Sequence, residues 1–178
     1  MNRARLASLA FLLVATISAL AQNTADMPKV EGESLAGHHI VLPDAASGKV
    51  AVLIFGFTKA SKTPTAAWAK KISTDFASQS AFSLYQLPVL EDVPRLVRGM
   101  VISSIRKGVP NQTRDRFVPI LNGEAELKKL VSYKEQDDAY LIVLNRDGKI
   151  AAQMHGPVTD AAYAPLKMKL ESLLNGVK

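Results

Sequence analysis

The amino-acid sequence predicts an α/β sandwich, in which helices cover both faces of a mixed central β-sheet. Three observations lead to this prediction. The continuous apolar run Val50–Phe57 has the pattern of a central strand that is buried on both faces. Helix-type and strand-type segments alternate after it, which is the order that a parallel βαβ unit requires. Near the C-terminus, Asn145–Gly148 has the composition of a tight turn between two strands, which adds an antiparallel hairpin.

The first part of this domain is predicted to contain a short hairpin and the first long helix. The hairpin spans Ser34–Pro43, with its turn at Gly37. Thr63 is expected to cap the helix and Pro64 to occupy its first position, where a missing N–H group costs nothing. Large apolar residues recur every four positions in this helix, at Trp68, Ile72 and Phe76. They form one stripe, which is expected to face the core.

The second part continues with a strand over Phe82–Leu90 and a helix over Val93–Lys107 that ends at Gly108. We expect the apolar stripe of this second helix, Met100 included, to form core. The stripe consists of Val93, Leu96, Val97, Met100, Val101 and Ile105. The remaining predicted elements are an extended piece at Phe117–Leu121, a short helix at Glu124–Val131, strands at Ala139–Leu144 and Lys149–Met154, and a closing helix at Asp160–Leu174.

The first residues have the pattern of a secretory signal peptide. Arg3 and Arg5 precede the apolar run Leu6–Leu20, and a small residue on each side of Leu20 forms a cleavage site. We therefore predict a signal peptide over residues 1–21, a flexible polar leader over 22–33 and one domain over 34–178. The protein is expected to be exported, to a periplasm or as a secreted protein. An uncleaved N-terminal anchor is the alternative.

Composition excludes several classes of function. The chain has no cysteine, so no thiolate can form and both disulfide exchange and cysteine-based peroxide reduction are excluded. The formal net charge of +6 falls when Arg3 and Arg5 are removed, and it does not indicate nucleic-acid binding. The histidines lack ligand spacing, no serine has an evident base, and no nucleotide-binding glycine motif occurs. We predict no catalytic residue, no cofactor and no metal.

Two stretches of the sequence resemble the thioredoxin-like superfamily, in particular its exported thiol-disulfide and peroxiredoxin-related members. The first is GHHIVLPDAASGKVAVLIFGFT, which ends where these proteins carry their thiols, and the second is the later hairpin YLIVLNRDGKI. The resemblance implies a thioredoxin-like sandwich without its redox chemistry. Such enzymes also place a cis-proline before the hairpin strand, near Asp138 in this chain, but no proline occurs between Pro119 and Pro157.

A further stretch, LVRGMVISSIRKGVPNQTRDRFVPI, resembles the mitochondrial ATP synthase assembly factors that share a thioredoxin-like core. The matching elements are Ile105–Lys107, Val109-Pro110 and Arg114–Phe117, and the position of Trp68 also agrees. This resemblance implies a chaperone for a subunit of a membrane complex. The secretory-type signal departs from that family, so the mitochondrial partner does not carry over.

Two groups of residues are candidate sites. The first is the start of the first helix, where free N–H groups, hydroxyls and lysines favour a carboxylate or phosphate; its residues are Thr58, Lys59, Ser61, Lys62 and Thr63. A capped helix start without a ligand is the alternative for this loop. The second is a basic patch formed by Arg95, Arg98, Arg106, Lys107, Arg114 and Arg116. A solvated helix face with Asp115 and Glu91 as counterions is the alternative for this patch.

These observations predict a redox-inactive, protein-binding factor with an assembly or chaperone-like role. Its expected partner is a protein that is acidic or membrane-associated, and docks on the basic patch. The competing hypothesis is a thiol-independent enzyme or small-anion binder that uses the helix start at Thr58–Pro64.

Overall fold

The computed structural model describes residues 25–176. The predicted signal peptide and residues 22–24 of the predicted leader lie outside this range. Within it, seven strands and four α-helices follow one another as β1 (Ala25–Asp26), β2 (Val30–Glu33), β3 (His39–Leu42), β4 (Val50–Gly56), α1 (Lys62–Phe76), β5 (Phe82–Pro88), α2 (Arg95–Gly108), α3 (Glu124–Leu130), β6 (Tyr140–Leu144), β7 (Lys149–His155) and α4 (Asp160–Leu174). Two 3₁₀ helices, Asp44–Ala46 and Asn111–Arg116, complete the described elements.

The central sheet is mixed and has five strands in the order β1-β7-β6-β4-β5. Strand β4 pairs in parallel with β5 and antiparallel with β6. All seven residues of β4 are buried, as its continuous apolar sequence predicts for a strand covered on both faces. Strands β2 and β3 form a separate two-stranded hairpin. The predicted α/β sandwich is confirmed.

The two faces of the sheet carry separate halves of the core because side chains alternate along β4. Val50, Val52 and Ile54 pack on the face that α1 and α4 cover, together with Trp68. Phe55 and its like-facing neighbours pack on the other face, which α3 and the β2–β3 hairpin cover. The prediction that Trp68, Ile72 and Phe76 face the core is confirmed, since all three are buried.

The predicted flexible leader is wrong from Ala25 onward. Strand β1 pairs with β7 and forms one edge of the sheet, and β2 forms the hairpin partner of β3. Met27 and Val30 are buried, and the removal of their side chains from water stabilises the ordered state of this otherwise polar stretch. The hairpin therefore begins at Val30 rather than at Ser34, and Gly37 lies in its turn with a φ of 91°.

The start of α1 also differs from the prediction. The helix begins at Lys62, with Ser61 as its N-terminal flanking residue, so Thr63 is inside the helix and does not cap it. Pro64 is the third helical residue, where it still leaves no hydrogen bond unmade because the first four N–H groups of a helix have no intrahelical partner.

Helix α2 does not contribute to the core, which contradicts the prediction for its apolar stripe. None of its residues is buried, and Leu96 is 100% and Met100 75% exposed. Val101, Ile102 and Ile105 are half-buried, and at 100° per residue they point about opposite to Leu96 and Met100. The apolar residues thus divide between an inner and an outer side of the helix.

Candidate functional site

The junction between β4 and α1 is closed by a ring of hydrogen bonds between Thr58 and Ser61. The Ser61 hydroxyl donates to the Thr58 carbonyl oxygen at 2.8 Å, and the Ser61 N–H donates to Thr58 Oγ1 at 3.1 Å. Ser61 is 1% exposed. A Cβ atom on Gly56 would lie 2.6 Å from Ser61 Oγ, so the ring requires glycine there. Neutral hydroxyls, which cannot exchange disulfides, therefore fill this junction.

Several donors of the predicted anion site at the same junction are already engaged within the protein. The backbone N–H groups of Thr58, Ser61 and Thr63 all donate to acceptors within the loop. The Thr58 hydroxyl donates to Asp137 Oδ1 at 2.9 Å, which places a carboxylate beside the helix start. Lys59 and Lys62 are exposed. Anion binding by this loop stays a prediction, and an incoming anion would have to displace internal bonds and approach Asp137.

A pair of side chains that sequence reasoning missed lies next to this junction. His155 Nδ1 is 2.8 Å from Asp138 Oδ2, and the His155 ring stacks on Tyr140 at a centroid distance of 5.3 Å. The indole N–H of Trp68 donates to the Gly156 carbonyl oxygen at 2.8 Å, which fixes the chain immediately after His155. The hairpin register could have revealed the pair, because Tyr140 lies opposite His155 in it.

The side chains on the other side of Tyr140 form an aromatic and ionic cluster. Phe57 and Tyr133 meet edge to face at 5.0 Å, and the Lys128 ammonium lies 4.9 Å from the centre of the Tyr133 ring. Lys128 also forms an ion pair with Glu124, and this hydrogen bond raises the pKa of Lys128. Burial raises the pKa of the Tyr133 hydroxyl. These contacts tie α3 to the end of β4.

Among residues 25–176, helix α2 carries three of the four large apolar side chains that are exposed, and the fourth is Met168 on α4. Leu96 is 100%, Met100 75% and Val97 41% exposed, and they lie together on the first two turns. No acidic residue occurs in α2, whereas Arg95, Arg98, Arg106 and Lys107 do. A contiguous apolar patch with a charged rim is typical of an interaction surface.

Two arginines of the predicted basic patch serve to hold α2 in place. Arg98 donates to the carbonyl oxygens of Val93 and Glu91, at 3.1 and 2.8 Å. Arg114 donates to the carbonyl oxygens of Val109 and Arg106, at 3.0 and 2.8 Å. These bonds secure the two ends of the helix, and both arginines are half-buried.

The other four cations of the patch are exposed: Arg95, Arg106, Lys107 and Arg116. Their expected counterions are engaged elsewhere. Asp115 Oδ1 is 2.8 Å from His38 Nδ1, and Glu91 Oε2 accepts the backbone N–H of Glu124 at 2.6 Å. Within residues 25–176, none of these four cations forms an ion pair. These four exposed cations are thus positive charges without an ion-pair partner, and Arg95, Arg106 and Lys107 lie on the same helix as the exposed apolar side chains.

Two negative findings describe the same range of residues. Between residues 25 and 176, no helix is long and apolar enough to cross a membrane. In that part of the chain, no three histidine, aspartate or glutamate side chains converge in a way that could hold a metal ion.

Comparison with solved structures identifies the fold of this chain. No protein-family model matches the chain, and no curated protein matches it. Solved structures do match. A putative thiol:disulfide interchange protein DsbE from Chlorobium tepidum has a TM-score of 0.57 and 16% identity, covering 85% of this chain and 96% of its own. A putative protein disulfide isomerase from Bacteroides thetaiotaomicron has a TM-score of 0.58 and 17% identity, covering 86% and 89%.

A third similar structure is BsSco, a member of the Sco family of cytochrome c oxidase assembly proteins. Its TM-score is 0.59 at 12% identity, and the match covers 88% of this chain and 97% of that one. The chain therefore has a thioredoxin-like fold without the cysteines of thiol-disulfide interchange proteins. The finer resemblance to ATP synthase assembly factors stays a prediction.

Proposed function

We propose that this protein is an exported, redox-inactive member of the thioredoxin-like superfamily that binds another protein in an assembly or chaperone-like role. The observation that carries the proposal is the outer face of α2, which we call the α2 face and define as Leu96, Val97 and Met100. These three side chains belong to neither half of the core, so packing within the domain does not account for them. Export is proposed from the signal-peptide pattern of residues 1–21.

The β4–α1 junction supports a role other than thiol chemistry. With no sulfur in that junction and a closed Thr58–Ser61 ring in its place, the fold retains its scaffold and lacks a thiol nucleophile. The ring also occupies the Thr58 and Ser61 N–H groups and the Ser61 hydroxyl, which leaves the competing hypothesis of an anion binder mainly the exposed side chains of Lys59 and Lys62. The α2 face is therefore the better supported functional surface.

The energetics of the α2 face favour a protein partner. Full burial of a side chain such as leucine, valine or methionine is worth about 1.5–3 kcal/mol, so covering the three residues is a substantial driving force. Arg95, Arg106 and Lys107 add long-range attraction for an acidic partner, which screening weakens beyond about 8 Å at physiological ionic strength. The similarity to BsSco, a member of a family of assembly proteins, supports the assembly role.

The test is capture of partners from the exported fraction with the immobilised protein as bait. We expect one or a few proteins to be retained by the wild type and lost with Leu96→Asp plus Met100→Asp. Met168→Asp is the matched control, because Met168 is also an exposed methionine, at 64%, but lies on α4. Retention of the same proteins by the double variant would contradict the proposal. Thermal unfolding of all three proteins checks that they are folded.

A further inference from the structure

The outward stripe of α2 changes character along the helix. Leu96, Met100 and Lys107 are spaced i, i+4 and i+11, so at 100° per residue they lie within about 40° of one another on the outer side. Ser103 and Ser104 lie between Met100 and Lys107 and are exposed. The stripe is thus apolar over its first two turns, then polar, and it ends in a cation. Met100 and Lys107 are about 10.5 Å apart along the axis.

This pattern discriminates among the surfaces that could cover α2. A second copy packed with its own α2 on this helix would bring the cations of one α2 against those of the other, with no carboxylate on either helix. A lipid bilayer offers a uniform apolar layer, in which Lys107 and the two serines would occupy the contacting side of the helix. A protein segment can place apolar atoms and a carboxylate at fixed positions, and it alone complements both halves of the stripe.

We propose that the partner presents an acidic amphipathic helix to α2. Two apolar residues four apart pack on Leu96 and Met100, and an Asp or Glu seven residues from the nearer one pairs with Lys107. Helix-on-helix contacts of this kind use i and i+4 side chains as anchors. Arg95 and Arg106 both lie on the same side of this stripe, about 20° apart around the helix axis. They add attraction for further acidic residues of the partner. This inference rests on the proposed function and specifies its partner.

The probe is a synthetic 16-residue peptide, capped at both ends, with leucine at positions 3 and 7, glutamate at position 14 and alanine, glutamine and serine elsewhere. These three positions share one helical face and reproduce the required spacing. A matched peptide carries lysine at position 14, and a second one carries serine in place of both leucines. Binding to the full-length mature protein is measured by fluorescence anisotropy.

We expect the glutamate peptide to bind about three- to tenfold more tightly than the lysine peptide. An exposed ion pair contributes about 0.3–0.7 kcal/mol, and its replacement by a like-charge pair roughly doubles the difference, which corresponds to this three- to tenfold range. Lys107→Glu should reverse the order of the two peptides. The serine peptide should not bind, and Leu96→Asp plus Met100→Asp should abolish binding of every peptide.

Each other outcome overturns the inference. Failure of the glutamate peptide to bind would show that α2 does not accept a helix of this pattern. If Lys107→Glu leaves the relative affinities of the two peptides unchanged, Lys107 does not pair with the carboxylate. Sedimentation with vesicles of phosphatidylglycerol and phosphatidylcholine that depends on Leu96 and Met100, without peptide binding, would assign the α2 face to a membrane. When the peptide experiment fails but capture of partners still requires the α2 face and tolerates Lys107→Glu, the proposed function stands and only this inference fails. If capture survives Leu96→Asp plus Met100→Asp, the proposed function fails as well.

Discussion

Replacement of Trp68 tests how the core positions the chain around His155. Trp68 is 0% exposed, and the centres of its ring and the Tyr163 ring are 6.3 Å apart. Its indole N–H donates to the Gly156 carbonyl oxygen at 2.8 Å. Trp68→Ala removes both contributions and should lower the free energy of unfolding by about 3–5 kcal/mol. Trp68→Phe keeps an aromatic ring but leaves the Gly156 carbonyl without its donor, which should cost about 1–3 kcal/mol.

The assay is equilibrium unfolding in urea, in which a change of midpoint at constant slope reports stability alone. Leu96→Ala is the control, because that side chain is fully exposed and its replacement should stay within about 0.5 kcal/mol. A loss below about 1 kcal/mol for Trp68→Ala would refute the assigned face of α1. Equal stability of Trp68→Phe and wild type would refute the contribution of the hydrogen bond.

Three further predictions concern pH, redox chemistry and processing. The hydrogen bond from Lys167 lowers the pKa of Asp75 below 3.8, so the stability from this pair is complete above about pH 4 and is lost as the pH falls through the lowered pKa. Asp75→Asn should therefore lower stability at pH 7 and flatten the acid limb of a stability profile; an unchanged limb would contradict this. Insulin reduction and peroxide turnover should both stay at background, and activity of the purified protein in either assay would overturn the redox-inactive assignment. N-terminal sequencing of the mature protein should begin at Gln22, whereas an intact Met1 in a membrane fraction would indicate an anchor.

The sequence predicted best where one strong pattern determines the outcome. The uninterrupted apolar run of β4 is compatible only with a strand covered on both faces. The spacing of Trp68, Ile72 and Phe76 places three large apolar side chains on one line of α1, and all three are buried. The Asn145–Gly148 turn fixed the final hairpin for the same reason, since its residues suit little else.

The sequence predicted less well where the result depends on what else packs nearby. Periodicity in α2 identified the helix but not whether anything covers it, so Leu96 and Met100 were wrongly assigned to the core. The leader was assigned from its polar composition, although strand pairing and the burial of Met27 and Val30 order it from Ala25 onward. These errors arise because local pattern carries no information about distant neighbours.

The candidate site was predictable only in part, for the same physical reason. A basic cluster indicates charge, but only the tertiary structure shows that Arg98 and Arg114 donate to carbonyl oxygens at the ends of α2. The Asp138–His155 pair is formed across a hairpin and is invisible to a search for short ligand spacing. The arginines of α2 marked it as a candidate surface in the sequence, but only the structure shows that Leu96 and Met100 are exposed beside them.

The most direct test of the central claim is photo-crosslinking from the α2 face. A photoreactive amino acid replaces Met100 in the full-length protein, and a second protein carries it in place of Met168 on α4. After irradiation in the exported fraction, the account predicts a discrete protein adduct from position 100 that position 168 does not give. Absence of a protein adduct at position 100, or the same adducts from both positions, would contradict the claim that the α2 face binds a protein partner.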